Sequence, residues 1–219
     1  MSVESDTAGA HAAAAAAEPA APAANPIPLA LITVLPGGIT LGLWFVGYLD
    51  TTALPGGMIP ILMFSAGMGL IISTIWAARE RANAVAGVLG LFAAFWFSFG
   101  FLVLALNNGW IINAGTGEAI TADQVANIQA TYLLSFTIVF ILMTLATLRL
   151  PLAFTTAFVF VDITFVLAFI GVSAGAAGLF PIAGITTFIF SAVFAYIAYA
   201  NFAQDLGGKE MAMGNPIQK

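Results

Sequence analysis

Apolar stretches of about twenty residues, the length that crosses a bilayer, recur six times along the chain, at roughly 28–47, 58–78, 83–106, 126–148, 152–174 and 179–202. Polar or helix-breaking residues separate them. Asp50-Thr51-Thr52 with Pro55-Gly56-Gly57 makes the first break, Arg79-Glu80-Arg81 the second, and Asn107-Asn108-Gly109 onward through Glu118 and Asp123 the third. Arg149-Leu150-Pro151 makes the fourth and the Gly175–Pro181 region the fifth. The last two are short, so spans four to six are predicted to be tight antiparallel neighbours. The pattern as a whole predicts an all-α membrane protein, a bundle of six transmembrane helices.

Inside the spans the exceptions to plain hydrophobicity carry information. Small residues recur every fourth position, at Ser65, Gly69 and Ser73 in span two and at Ala86, Gly90, Ala94 and Ser98 in span three. Such ridges let helix backbones approach closely in a solvent where apolar burial alone drives no association. Pro36-Gly37-Gly38 interrupts span one, where a missing backbone donor and two glycines predict a kink or break.

Asp162 lies near the middle of span five. A centred carboxylate costs at least about 2.5–3.5 kcal/mol on insertion scales, so its side chain must face protein or water. Thr155 and Ser173 project to nearly the same helix face, and Thr137 and Thr144 form a matching pair in span four. Those threonines are candidates to line a polar path. For Asp162 two readings stand together: a proton-coupling or gating group, and a neutral acid bonded to a neighbouring Thr or carbonyl.

Charge sets the orientation. Arg79, Arg81, Arg149, Lys209 and Lys219 all fall on one side of a six-span plan, while the opposite loops carry Asp50, Glu118 and Asp123 and no basic residue. Basic loops stay cytoplasmic, so both termini are predicted inside. Trp44, Tyr48, Trp76, Tyr196 and Tyr199 fall near span ends, as interfacial aromatics do. Composition agrees with membrane insertion: 61% of residues are hydrophobic, 7% are charged and the mean hydropathy is +1.05.

The same composition removes several chemistries. Cys is absent and the only histidine is His11, which excludes a thiolate or His-cluster metal site. The net charge of −5 and the lack of a basic patch exclude nucleic-acid binding. One isolated acid at membrane depth offers no catalytic constellation, so an enzyme is not expected, and no cofactor is implied.

Residues 1–24 are Ala- and Pro-rich, lack a basic leader and a compact apolar core, and read as a disordered or partly helical cytoplasmic tail. Residues 25–206 are read as the six-helix transmembrane domain and 207–219 as a C-terminal cytoplasmic tail, in which Asn215-Pro216-Ile217 reads as a chance echo of the domain's opening. That opening, Asn25-Pro26-Ile27-Pro28-Leu29, reads as a helix start: Asn caps well and Pro is tolerated in the first turn. A helix start also offers N–H donors and a positive dipole end to a small anion. Cap and anion site both remain open on the residues alone.

The same five residues resemble the Asn-Pro-Ala-Pro-Leu signature of the acetate uptake transporter family, which includes bacterial succinate–acetate permeases and their yeast relatives. Phe95-Trp96 in span three and Ile170-Gly171 closing span five are similar to pairs found there, in the same order and spacing. The resemblance covers about residues 25–206. It implies a homo-hexamer in the cell membrane, each six-helix bundle enclosing its own path for small monocarboxylates, with acetate the expected solute and larger carboxylates allowed. It also implies that Asn25, Pro26, Pro28 and Leu29 contact the solute and that Val34, Phe92 and Val161 form a narrow apolar gate.

The chain departs from the family pattern at Ile27 and Ala30, and Asp162 stands directly after a gate position where an uncharged residue is usual. An ionised carboxyl a few ångströms from a passing anion opposes it by about 4 kcal/mol at an effective dielectric of about 20. Passage of acetate therefore requires a protonated Asp162. A channel for a small neutral solute, such as urea or a short amide, is the second expectation, and a non-transporting accessory subunit of a membrane complex the third.

Overall fold

The structure, a computed structural model, describes residues 24–49 and 57–219. Residues 1–23 of the tail expected over 1–24, with His11, and the break at Asp50-Thr51-Thr52 and Pro55-Gly56 lie outside the described residues. Six helices long and apolar enough to cross a membrane follow one another: α1 (Ile27–Phe45), α2 (Met58–Arg79), α3 (Asn83–Asn107), α4 (Ala122–Thr147), α5 (Leu152–Ser173) and α6 (Leu179–Asp205). No strand occurs among the described residues. The α3–α4 loop holds one isolated antiparallel bridge between Ile112 and Ala119.

Several helix ends follow from local chemistry. Thr121 and Gln124 form a reciprocal capping box that starts α4, each side chain accepting from the other's backbone N–H. At the far end of α1, α3 and α6 the residue beyond the cap is Gly47, Gly109 or Gly207, each at positive φ, and its N–H and the next one turn back onto the last carbonyls. α2 closes the same way through Arg81 at φ 59°, the one non-glycine among the described residues in that region.

α1 runs as one helix through Pro36, so of the kink or break expected there the break is absent. Pro36 faces outward, while Gly37 and Gly38 are buried and allow close approach. A Cβ on Gly37 would sit 2.9 Å from Ala66 Cβ of α2, and one on Gly38 3.5 Å from the Phe190 ring of α6. The backbone irregularity falls in α2 instead, where Ile61–Gly67 winds as a π-helix behind Pro60, which has no N–H to contribute. Ser65 Oγ in that segment donates to the Thr33 carbonyl at 2.9 Å and ties α2 to α1.

Helix neighbours form a ring. α1 packs between α2 and α6, α2 against α3, and α6, α5 and α4 follow as consecutive antiparallel partners. The tight packing expected for spans four to six is therefore present. α3 and α4 complete the circle with few close backbone approaches, and aromatic side chains fill the wider seam between them: Phe92 lies 4.8 Å from Phe140 and Phe95 lies 5.3 Å from Phe136, centroid to centroid.

The C-terminal segment packs back on the bundle. Gln218 N–H donates to the Leu148 carbonyl at 2.8 Å, Ala153 N–H to the Met213 carbonyl at 2.9 Å, and Tyr196 Oη to the Ala212 carbonyl at 2.7 Å. Asn215-Pro216-Ile217 thus belongs to a strap laid across the α4–α5 turn. The sequence offers no apolar run that would have announced it.

Candidate functional site

Two cavities open at opposite ends of the helix ring. The first, about 580 Å³, lies at the end that carries Arg79, Arg81 and Arg149; its wall includes Leu31, Val34, Val88, Phe92, Phe158 and Phe194. The second, about 470 Å³, lies at the end that carries Glu118 and Asp123; Trp44, Phe45, Phe99, Gln129, Tyr132 and Phe180 line it. Among the described residues no Lys, Arg, Asp or Glu lines either one.

Helix by helix, one stretch of residues separates the two linings. On α3 the first cavity reaches Phe92 and the second begins at Phe99; on α4 the limits are Met143 and Leu133, and on α5 Phe158 and Ala168. Phe95, Phe140 and Phe165 fill that level. Phe165 lies 4.9 Å from Phe95 and 4.8 Å from Phe140, so the three rings pack as one plug. Phe140 is fully buried, and Phe95 and Phe165 nearly so. Trp96 sits beside them with its indole N–H buried and without a partner.

The expected gate residues gather at this level without forming one surface. Val34 and Phe92 line the first cavity where it meets the plug, and Phe92 also touches Phe158 and Phe194 at 5.5 and 6.0 Å. Val161 is 1% exposed and borders neither cavity.

At the start of α1, Asn25 Oδ1 accepts from Ile27 N–H at 3.0 Å, the capping geometry expected of it, and Asn25 Nδ2 donates to Asn201 Oδ1 of α6 at 2.9 Å. Pro26 and Pro28 are buried and Leu29 is half-buried. Their neighbours Ile27 and Leu31 line the first cavity, while these four do not. Two prolines and the Asn25 cap leave few N–H donors in the first turn, which weakens it as an anion site.

Asp162 is half-buried at the contact of α5 with α4. Thr144 Oγ1 donates to its Oδ2 at 2.6 Å, while Oδ1 is buried without a partner. Thr155 Oγ1 donates to the Thr147 carbonyl at 2.8 Å, and Thr137 Oγ1 to the Leu133 carbonyl of its own helix at 2.7 Å. These hydroxyls serve the α4–α5 contact or their own backbone, and none of the four residues borders a cavity. A threonine on a helix can always satisfy itself on a carbonyl one turn back, which is why a Thr stripe does not mark a water path by itself.

Sequence reading passed over the plug residues Phe140 and Phe165 and the polar members of the second cavity, Gln129 and Tyr132. Among 19 phenylalanines nothing in the pattern separates those facing the ring's centre from those facing lipid. Gln129 offered a signal, being a polar residue in the first turns of a span.

The matching family model, described as the GPR1/FUN34/yaaH family, covers residues 8–207. The chain belongs to this family. That agrees with the resemblance carried by Asn25–Leu29, Phe95-Trp96 and Ile170-Gly171. A relative from Methanothermobacter thermautotrophicus, an uncharacterized protein, is 26% identical over 189 residues, 86% of this chain and 89% of that one. The fold is similar to the structure of the bacterial acetate channel SatP, with a TM-score of 0.74 at 23% identity over 87% of this chain and 99% of that one. That neighbour is a channel and not an enzyme.

Proposed function

We propose that the chain is a channel for small monocarboxylates, acetate first among them, spanning the cell membrane with both termini cytoplasmic. The observation that carries this reading is the pair of apolar cavities at opposite ends of one helix ring, parted by an aromatic plug. A path with two mouths and one constriction is what a gated small solute needs, and hydrophobic constrictions gate by excluding water. The likeness in fold to an acetate channel supports the choice of solute.

In this reading Asn25, Pro26, Pro28 and Leu29 build the rim of the cytoplasmic mouth, and Val34, Phe92 and Val161 surround the constriction with the plug rings. Asp162 acts as a gating residue through Thr144, since the bond between them fixes how α4 lies on α5; Thr155 supports the same contact through the Thr147 carbonyl, while Thr137 is bonded within α4. The Arg79, Arg81, Arg149, Lys209 and Lys219 end faces the cytoplasm by the charge rule. Exposed apolar side chains on α2 and α4, such as Ile72, Ile75, Ile138 and Leu142, meet lipid and neighbouring copies in a homo-hexamer.

A second reading, a channel for a small neutral solute such as urea, is favoured by one observation: no cationic side chain among the described residues lines either cavity. Uptake of labelled acetate and labelled urea into liposomes holding the purified chain separates the two. Acetate uptake well above protein-free liposomes supports the first, and urea uptake alone supports the second.

A further inference from the structure

An anion that leaves water needs hydrogen-bond donors to replace its hydration, and a channel needs those donors weak enough to let go. The cavity at the Glu118 and Asp123 end offers such a group. Its aromatic wall of Trp44, Phe45, Phe99 and Phe180 can take a methyl or short alkyl tail. Tyr132, deeper on α4, is already committed: its hydroxyl donates to the Phe95 carbonyl at 2.9 Å and lies 2.9 Å from Ser98 Oγ. Gln129 stands three residues before Tyr132 and four before Leu133, on the same face of α4, and all three line the cavity. Gln129 is half-buried, and its carboxamide donates to no group among the described residues.

We infer that Gln129 is a solute-contacting, specificity-determining residue: its carboxamide N–H groups donate to the carboxylate of a monocarboxylate in this cavity while the aromatic wall holds the alkyl tail. A neutral amide meets the charge without the deep trap that an arginine would make. One contact of this kind suits one carboxylate. A dicarboxylate would place its second charge against a largely aromatic wall, so the same residue biases the path toward monocarboxylates. This inference rests on the carboxylate reading of the channel.

The full-length chain in liposomes tests it, with acetate as the probe. Gln129→Leu removes the donors, and Gln129→Glu keeps the shape while placing an acid against the anion. The expected result is an acetate KM raised about tenfold in Gln129→Leu, the scale of one lost hydrogen bond to a charged group. The rise is larger in Gln129→Glu, and maximal flux changes little in Gln129→Leu. Because the chain has no cysteine, Gln129→Cys supplies a single thiol, and acetate should slow its alkylation by a small reagent. Wild-type acetate KM in both variants, or alkylation indifferent to acetate, overturns the inference while leaving the channel reading intact. A wild-type protein that moves no acetate overturns both.

Discussion

Asn25, before the first helix, and Asn201, near the end of the sixth, share a hydrogen bond of 2.9 Å across 176 positions of sequence. The side-chain amide of Asn25 thereby does two things. Its oxygen caps α1 on Ile27, and its nitrogen fastens that helix start to α6, whose own Asn201 Nδ2 is held by the Ile197 carbonyl at 2.8 Å. Asn25→Ala loses both and is expected to destabilise the bundle by about 1–2 kcal/mol, a cap plus a modest hydrogen bond. Asn25→Asp keeps the capping oxygen and loses only the donor, so it should fall between. Thermal unfolding in detergent of the three proteins checks the order.

Close helix crossings give a second prediction. A Cβ on Gly184 of α6 would meet the Gly42 carbonyl oxygen of α1 at 3.0 Å and Val46 Cγ1 at 2.6 Å, and the backbone atom cannot yield. Gly184→Ala should therefore cost about 1–3 kcal/mol through overpacking. Gly87→Ala meets nothing within 4 Å and should be neutral or stabilising, since alanine is the better helix former. Unfolding midpoints of the pair decide it.

The strap yields a third. Tyr196→Phe removes only the hydroxyl that donates to the Ala212 carbonyl, and should cost about 1 kcal/mol while raising hydrogen exchange in the segment around Met213 and Gln218. Exchange confined to wild-type levels would mean that the strap holds without this bond.

Asp162 gives the fourth. An amide oxygen accepts from Thr144 as a carboxyl oxygen does, so Asp162→Asn should fold and keep acetate flux near wild type. Asp162→Leu removes the acceptor and should loosen α4 from α5 and change flux. The pH profile of flux is the discriminating reading: a profile that survives Asp162→Asn places Asp162 in the gate's architecture, and one that flattens makes it the proton-linked group.

How much of this was legible in sequence follows from the solvent. Lipid requires each span to be a helix of about twenty apolar residues, so the existence and order of six were readable at once. The same solvent hides which side of each helix faces inward, because Phe140 in the plug and Leu142 facing outward are equally apolar. The ring order and the plug are products of packing that hydropathy does not record. Asp162 was legible as an anomaly, and the structure gives it Thr144 as a neighbour, because an intramembrane acid must find a partner. Pro36 allowed for a break that α1 does not show, since one proline on an outward face leaves the rest of the helix free to pack through Gly37 and Gly38.

The most direct measurement is uptake of labelled acetate by liposomes holding the purified chain, compared with the same chain carrying Phe140→Ala in the plug. The account predicts uptake well above protein-free liposomes in the wild type and faster uptake with admission of larger monocarboxylates once the ring is removed. Acetate uptake no greater than in protein-free liposomes, in both folded proteins, would contradict it.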